Sequence, residues 1–178
     1  KIFAVFLQTL YNHRRMILAT HIVIAAAVTK PFIGAHPFLA FAAALASHYL
    51  TDAVPHWHYP VDSIDERDNP EKKTWRRDEK VLVRDFLRFA LDGFGGAAIA
   101  FFLIWPQNAA EVWWLIAAII GSVLPDALQG VYMAGGRFLK PLQLFHDRLH
   151  SKILLDAYPW IGIPSQLLVA AVALWLLL

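Results

Sequence analysis

Long apolar runs separated by short polar breaks set the pattern of this chain. The first runs from Met16 to Ile33, and Gly34-Ala35-His36-Pro37 leads into a second from Phe38 to Val54. A mixed-charge stretch from Pro60 to Val83 follows, and further apolar runs cover residues 86–105, 112–124 and 160–178. A hydrocarbon core of ~30 Å takes ~20 apolar residues as helix. The pattern therefore predicts an all-α, polytopic transmembrane helical bundle of about five spans, at 16–33, 38–54, 86–105, 112–124 and 160–178, in one domain covering 16–178. Pro106-Gln107-Asn108 turns the chain after the third span, and Pro125-Asp126 ends the fourth. The Pro60–Val83 stretch is expected to be a solvated loop with an amphipathic turn near Trp75. Small residues at Gly93-Phe94-Gly95-Gly96 would let helix backbones approach closely. Trp57, Trp105, Trp113, Trp114 and Trp160 fall near span ends, as an interfacial aromatic belt would place them.

Residues 1–15 form a separate N-terminal segment. Its apolar part is too short to span and is followed by His13-Arg14-Arg15. An interfacial segment, the remnant of a longer helix, and sequence upstream of a start at Met16 all remain open. A cleaved signal peptide fits worst, because no small-residue cleavage site follows the apolar run.

Composition supports a membrane location. The chain is 58% hydrophobic and only 17% charged, against about 25% charged in ordinary soluble domains. A net charge of +2 with interleaved signs gives no nucleic-acid footprint. With no cysteine, thiolate metal sites and disulfides are excluded. Five spans put the N-terminus, the charged loop and the connection before the last span on one side. That side holds nearly all of the 16 Lys and Arg. The positive-inside rule makes it cytoplasmic, with the C-terminus opposite, in a multi-pass protein of the inner membrane.

The candidate chemistry gathers at that same end. His48, Asp52 and His56 are spaced by four, so His48 and Asp52 share a helix face before Pro55 ends the helix. His146 and His150 repeat the spacing, and His21 and Asp126 come to the same level. Imidazole and carboxylate are ligands for a divalent metal, zinc first. Seven potential ligands exceed the three or four of one catalytic zinc, so either two ions are held or some of these groups orient the ligands. Asp92, buried in an apolar run, needs a cation or a polar partner, and is expected to ligate the metal or anchor a ligand histidine. His36 is expected to be a turn residue only.

Thr20-His21, His48-x-x-x-Asp52-x-x-Pro55-His56-Trp57, Leu124-Pro125-Asp126 and Phe145-His146-x-Arg148-x-x-His150-Ser151 together resemble the predicted membrane-bound metal-dependent hydrolases, small bacterial and archaeal inner-membrane proteins. The resemblance covers the chain from about Met16 to Ser151. It implies a helical membrane fold with a His/Asp metal centre and an affinity to zinc-dependent phospholipases. It also implies an acid at position 58, where this chain has His58. On that footing one or two zinc ions would activate water and polarise a phosphoryl or acyl oxygen. Asp126 or Asp147 would accept the proton, and Arg148 would bind phosphate. A site at headgroup depth favours a phospholipid or other lipid phosphoester, with the bilayer itself as partner. Two rivals use the same cluster: bis-histidine haem binding, and proton or ion translocation.

Overall fold

The computed structural model describes residues 14–57, 59–65, 73–151, 153, 155 and 158–175. Six α-helices dominate it: α1 (Leu18–Thr29), α2 (Pro37–Asp52), α3 (Glu79–Ile104), α4 (Ala109–Met133), α5 (Lys140–Leu149) and α6 (Pro159–Trp175). The ends are set by local chemistry. Asp78 accepts from the amides of Lys80 and Val81 to start α3, and Asn108 accepts from Glu111 N to start α4. His36 Nδ1 accepts from Phe38 N at 3.2 Å, so this turn residue also caps α2.

The helical part of the expectation holds, but the span count does not. Among the described residues only α3, with 26 residues, and α4, with 25, are long and apolar enough to cross a membrane. The helices over the other expected spans have 12, 16 and 17 described residues, short of the ~20 that a hydrocarbon core requires. The five-span bundle is corrected accordingly. The error came from equating an apolar run with a crossing. Much of the apolar character serves packing inside the protein: α1 is buried at His21 through Ala27 and at Thr29, and it contacts α2, α3, α4 and α6.

Two close helix crossings locate the core. A Cβ on Gly121 would lie 2.4 Å from the Phe41 carbonyl oxygen, so α4 reaches α2 backbone to backbone there. A Cβ on Gly96 would meet Ala19 Cα at 2.5 Å, which brings α3 as close to α1. Alanines 25, 26, 40, 44, 100 and 118 fill this space with Ile22 and Leu115. Trp114, expected at an interface, is fully buried among them, whereas Trp105, Trp113 and Trp160 are exposed.

The charged stretch is more ordered than expected. Tyr59–Val61 pairs antiparallel with Arg14–Met16, and Ile64–Asp65 with Thr74–Trp75. Val61 and Ile64 pack on Tyr132, Met133 and Leu139, forming a second small core below the ends of α3 and α4. Buried Asp85 accepts from Ser63 N at 2.8 Å and pins this layer to α3. The N-terminal segment, apart from the strand at Arg14–Met16, lies outside the described residues, as do His13 and His58.

Candidate metal centre

The site assembles around Asp52, the last residue of α2. Its Oδ2 lies 2.7 Å from His146 Nε2 and 3.2 Å from His48 Nε2. Its Oδ1 lies 3.3 Å from His21 Nε2 and 3.9 Å from His56 Nε2. His48 sits one turn earlier on α2, as the spacing of four predicts. The helix ends at Asp52, three residues before Pro55, and His56 returns over the site with its Nδ1 2.6 Å from the Val54 carbonyl. The Ser151 amide donates to the Asp52 carbonyl at 2.8 Å, fixing the end of α5, and with it His150, to the end of α2.

Asp126 enters from α4. Its Oδ1 is 3.9 Å from His48 Nε2 and 4.0 Å from His146 Nε2. Pro125-Asp126 was expected to end this helix, but α4 runs through Pro125 to Met133. A proline inside a helix lacks its N–H and crowds the carbonyl four residues back. Here that carbonyl belongs to Gly121. The next one, of Ser122, accepts from His48 Nδ1 at 2.6 Å.

Three overlapping groups result: His21, His48 and Asp52; His48, Asp126 and His146; Asp52, His56 and His150. In each, one ligand atom per residue lies within 4.8 Å of the others. These buried His/Asp groups could hold a metal ion, and the tautomers suit one. His48 Nδ1 donates to a backbone carbonyl, so Nε2 presents a lone pair towards Asp52. A lone pair facing a carboxylate oxygen in a dry site needs a cation between them, either a proton or a metal. His48 Nε2 and His21 Nδ1 are buried and make no hydrogen bond.

The electrostatics agree. Burial pulls His48 down, but the carboxylates of Asp126 and Asp52 outweigh it and hold the ring at about 8. Burial and the neighbouring His48 push His21 down to about 3, so the ring is neutral at pH 7 and able to ligate. Burial raises Asp52, yet the hydrogen bond from His146 and the adjoining His48 and His21 rings leave it well below the usual carboxylate range. Burial also lowers His56.

Three expected site residues lie elsewhere. Asp92 joins none of the three groups; its Oδ2 accepts from Leu18 N at 2.6 Å and lies 3.4 Å from the Tyr59 hydroxyl. It caps α1, whose own N-cap residue Ile17 supplies no side-chain bond. Its influence on the site is to fix the helix that carries His21. Asp147 is bound by Lys73 Nζ at 2.5 Å, one residue (~100° of helix) round from His146. Arg148 is exposed, because two residues from a buried helical position is nearly the opposite face. Lys73, read as part of a solvated loop, is almost fully buried and ties that loop to α5. Nothing in its sequence context signals this, and the same holds for the Ser122 carbonyl.

No family model, curated protein or solved structure matches this chain. The resemblance to membrane-bound metal-dependent hydrolases therefore stands on the motifs quoted above.

Proposed function

We propose that this chain is a membrane-anchored, divalent-metal-dependent hydrolase of phosphoesters. The observation that carries the proposal is the buried carboxylate of Asp52, ringed by imidazole Nε2 atoms at 2.7–3.9 Å, with three overlapping ligand groups around it. Such a nitrogen and oxygen donor set without sulfur suits zinc, and its size suits either two ions or one ion with orienting neighbours. A bound divalent cation supplies acidity to a water and polarises a phosphoryl oxygen. The protein's own groups do the rest. The Ser122 and Val54 carbonyls hold the His48 and His56 rings in place. Asp126, only 12% exposed and between His48 and His146, is the proton acceptor in this proposal. Asp147, engaged by Lys73, and Arg148, on the exposed side of α5, take no part.

The long α3–α4 hairpin supports the membrane anchor. Leu91, Phe94 and Phe102 of α3 are each 75% exposed or more, an apolar face of the kind lipid covers. The hairpin tip, Trp105-Pro106-Gln107-Asn108, has no basic residue, while Arg84, Arg88, Arg137 and Lys140 flank its base. By the positive-inside rule that asymmetry supports a cytoplasmic position for the base and the site beside it in this proposal.

Metal analysis of detergent-purified protein, paired with hydrolysis of phenyl phosphate, tests the proposal. One or two divalent ions per chain are expected, lost together with activity on chelation and in His48→Ala. A chain that neither retains nor rebinds divalent metal refutes it.

A further inference from the structure

The chain leaves α4 at a sharp corner. From Met133 it passes through Ala134-Gly135-Gly136 into a tight turn at Arg137–Leu139 that runs straight into α5. Gly135 takes a φ of +112°, a backbone that residues with a Cβ rarely adopt. A Cβ on Gly136 would lie 2.8 Å from the Val131 carbonyl oxygen, so the chain folds back on the last turn of α4. α5 therefore starts at the level where one of the two helices long enough to cross a membrane ends. With 10 residues it is itself too short for a crossing, which takes ~20.

At ~100° per residue, the side chains from Phe138 to Arg148 fall in three arcs. Leu139, Gln143 and His146 are buried against the protein, with His146 in the candidate metal centre. Phe138, Leu142 and Phe145, at 79%, 46% and 49% exposed, form an apolar arc to one side of them. The third arc holds Lys140, Asp147 and Arg148, with Leu144 among them. Lys140 and Arg148 are exposed, as is Arg137, whose guanidinium lies 5.0 Å from the centre of the Tyr132 ring. The sequence has one acid between Asp126 and Asp156, Asp147, and Lys73 binds it. A helix with one face on its own protein, one apolar face and one basic face suits the boundary between hydrocarbon and anionic headgroups.

We infer that the Phe138, Leu142 and Phe145 face of α5 docks on an anionic phospholipid surface, with Arg137 and Arg148 meeting headgroup phosphates at its edge. This goes beyond the membrane-anchored reading above and rests on it. A second copy of the chain fits this face less well, because a symmetric contact through it would set Arg137 and Arg148 near their own counterparts. Docked in this way, α5 holds His146, and the metal centre with it, against the headgroup layer.

The chain has no cysteine, so single cysteines report without background. Full-length protein carrying Phe138→Cys, Leu142→Cys, Lys140→Cys or, on the exposed face of α3, Leu91→Cys is labelled with bimane. It is reconstituted in nanodiscs of equimolar phosphatidylglycerol and phosphatidylcholine, one of the two brominated on its acyl chains. Brominated lipid should quench the label strongly in Phe138→Cys and Leu142→Cys and weakly in Lys140→Cys. Brominated phosphatidylglycerol should quench Leu142→Cys roughly twofold or more better than brominated phosphatidylcholine. That contrast should vanish when Arg137→Gln and Arg148→Gln are added, or at high salt. Quenching in Phe138→Cys and Leu142→Cys no stronger than in Lys140→Cys overturns the inference, and so does equal quenching by the two lipids. Leu91→Cys should be quenched by both lipids alike. If it is not quenched, the anchor reading fails by itself, and flotation of the wild type with phosphatidylglycerol vesicles decides α5. Binding that is lost in Phe138→Asp combined with Leu142→Asp upholds the inference; unchanged binding, or none by wild type, overturns it.

Discussion

Replacing Asp52 by Asn separates a metal centre from a self-contained network of histidines and a carboxylate. Asp52 belongs to two of the three ligand groups and touches the third through His48 and His146. Asn keeps the shape but substitutes an NH2 donor for one oxygen and removes the charge that a cation would meet. In the metal-free protein the substitution has two opposed effects. The charge-assisted hydrogen bond with His146 is lost, at about 1.5–3 kcal/mol, while a buried carboxylate is removed. The metal-free Tm is therefore a poor discriminator, and the shift on adding metal is a good one. Zinc free at 100 times its Kd stabilises a native site by about 2.7 kcal/mol, or roughly 5–10 °C for a domain of this size. Wild type should show that shift in a thermal melt, and Asp52→Asn should show almost none. His36→Asn, which retains a cap at the exposed start of α2 and lies outside the site, should keep the full shift. If Asp52→Asn is stabilised by zinc as much as wild type, Asp52 is not a ligand and the cluster is a structural network.

Two further expectations follow from the same geometry. In the metal-free protein, His48 at about 8 lies above the unfolded value of 6.5, so its stabilisation is full below about 6.5 and is lost as pH rises towards 8. His21 at about 3 has the opposite sign, with stability falling as pH drops below 6.5; denaturant melts should thus peak near pH 6.5, and saturating metal, by replacing the His48 proton, should abolish the alkaline decline. A metal-free protein that grows more stable between pH 6.5 and 8 contradicts the assignment. Asp92→Ala should remove the cap of α1 and lower stability by about 0.5–2 kcal/mol with unchanged metal stoichiometry; loss of bound metal would return Asp92 to the site.

The parts of the site legible in the sequence were those governed by helical phase. His48 and Asp52, or His146 alone, can be placed from a spacing of four and a proline, because side-chain direction on a helix follows position. The same rule, applied more strictly, would have removed Arg148 and Asp147 from the site, since neither shares the face of His146. What phase cannot supply is the identity of a partner on another element. A carboxylate in an apolar helix reads alike whether it meets a metal or the open amides of a neighbouring helix, and Asp92 turned out to meet the amide of Leu18. Lys73 shows the same limit from the other direction, since a lysine among charges looks solvated until a fold brings Asp147 over it. Span counting failed for a related reason. Apolarity records that a residue avoids water, not whether lipid or protein replaces it, and α1 satisfies the condition inside the protein. Pro125 joins these two themes. The dipeptide Pro125-Asp126 suggests a helix end, yet α2 packs backbone to backbone at Gly121 and its His48 donates to the Ser122 carbonyl just before the proline. That contact sets the ring of His48, and the unbroken helix delivers Asp126 to the cluster.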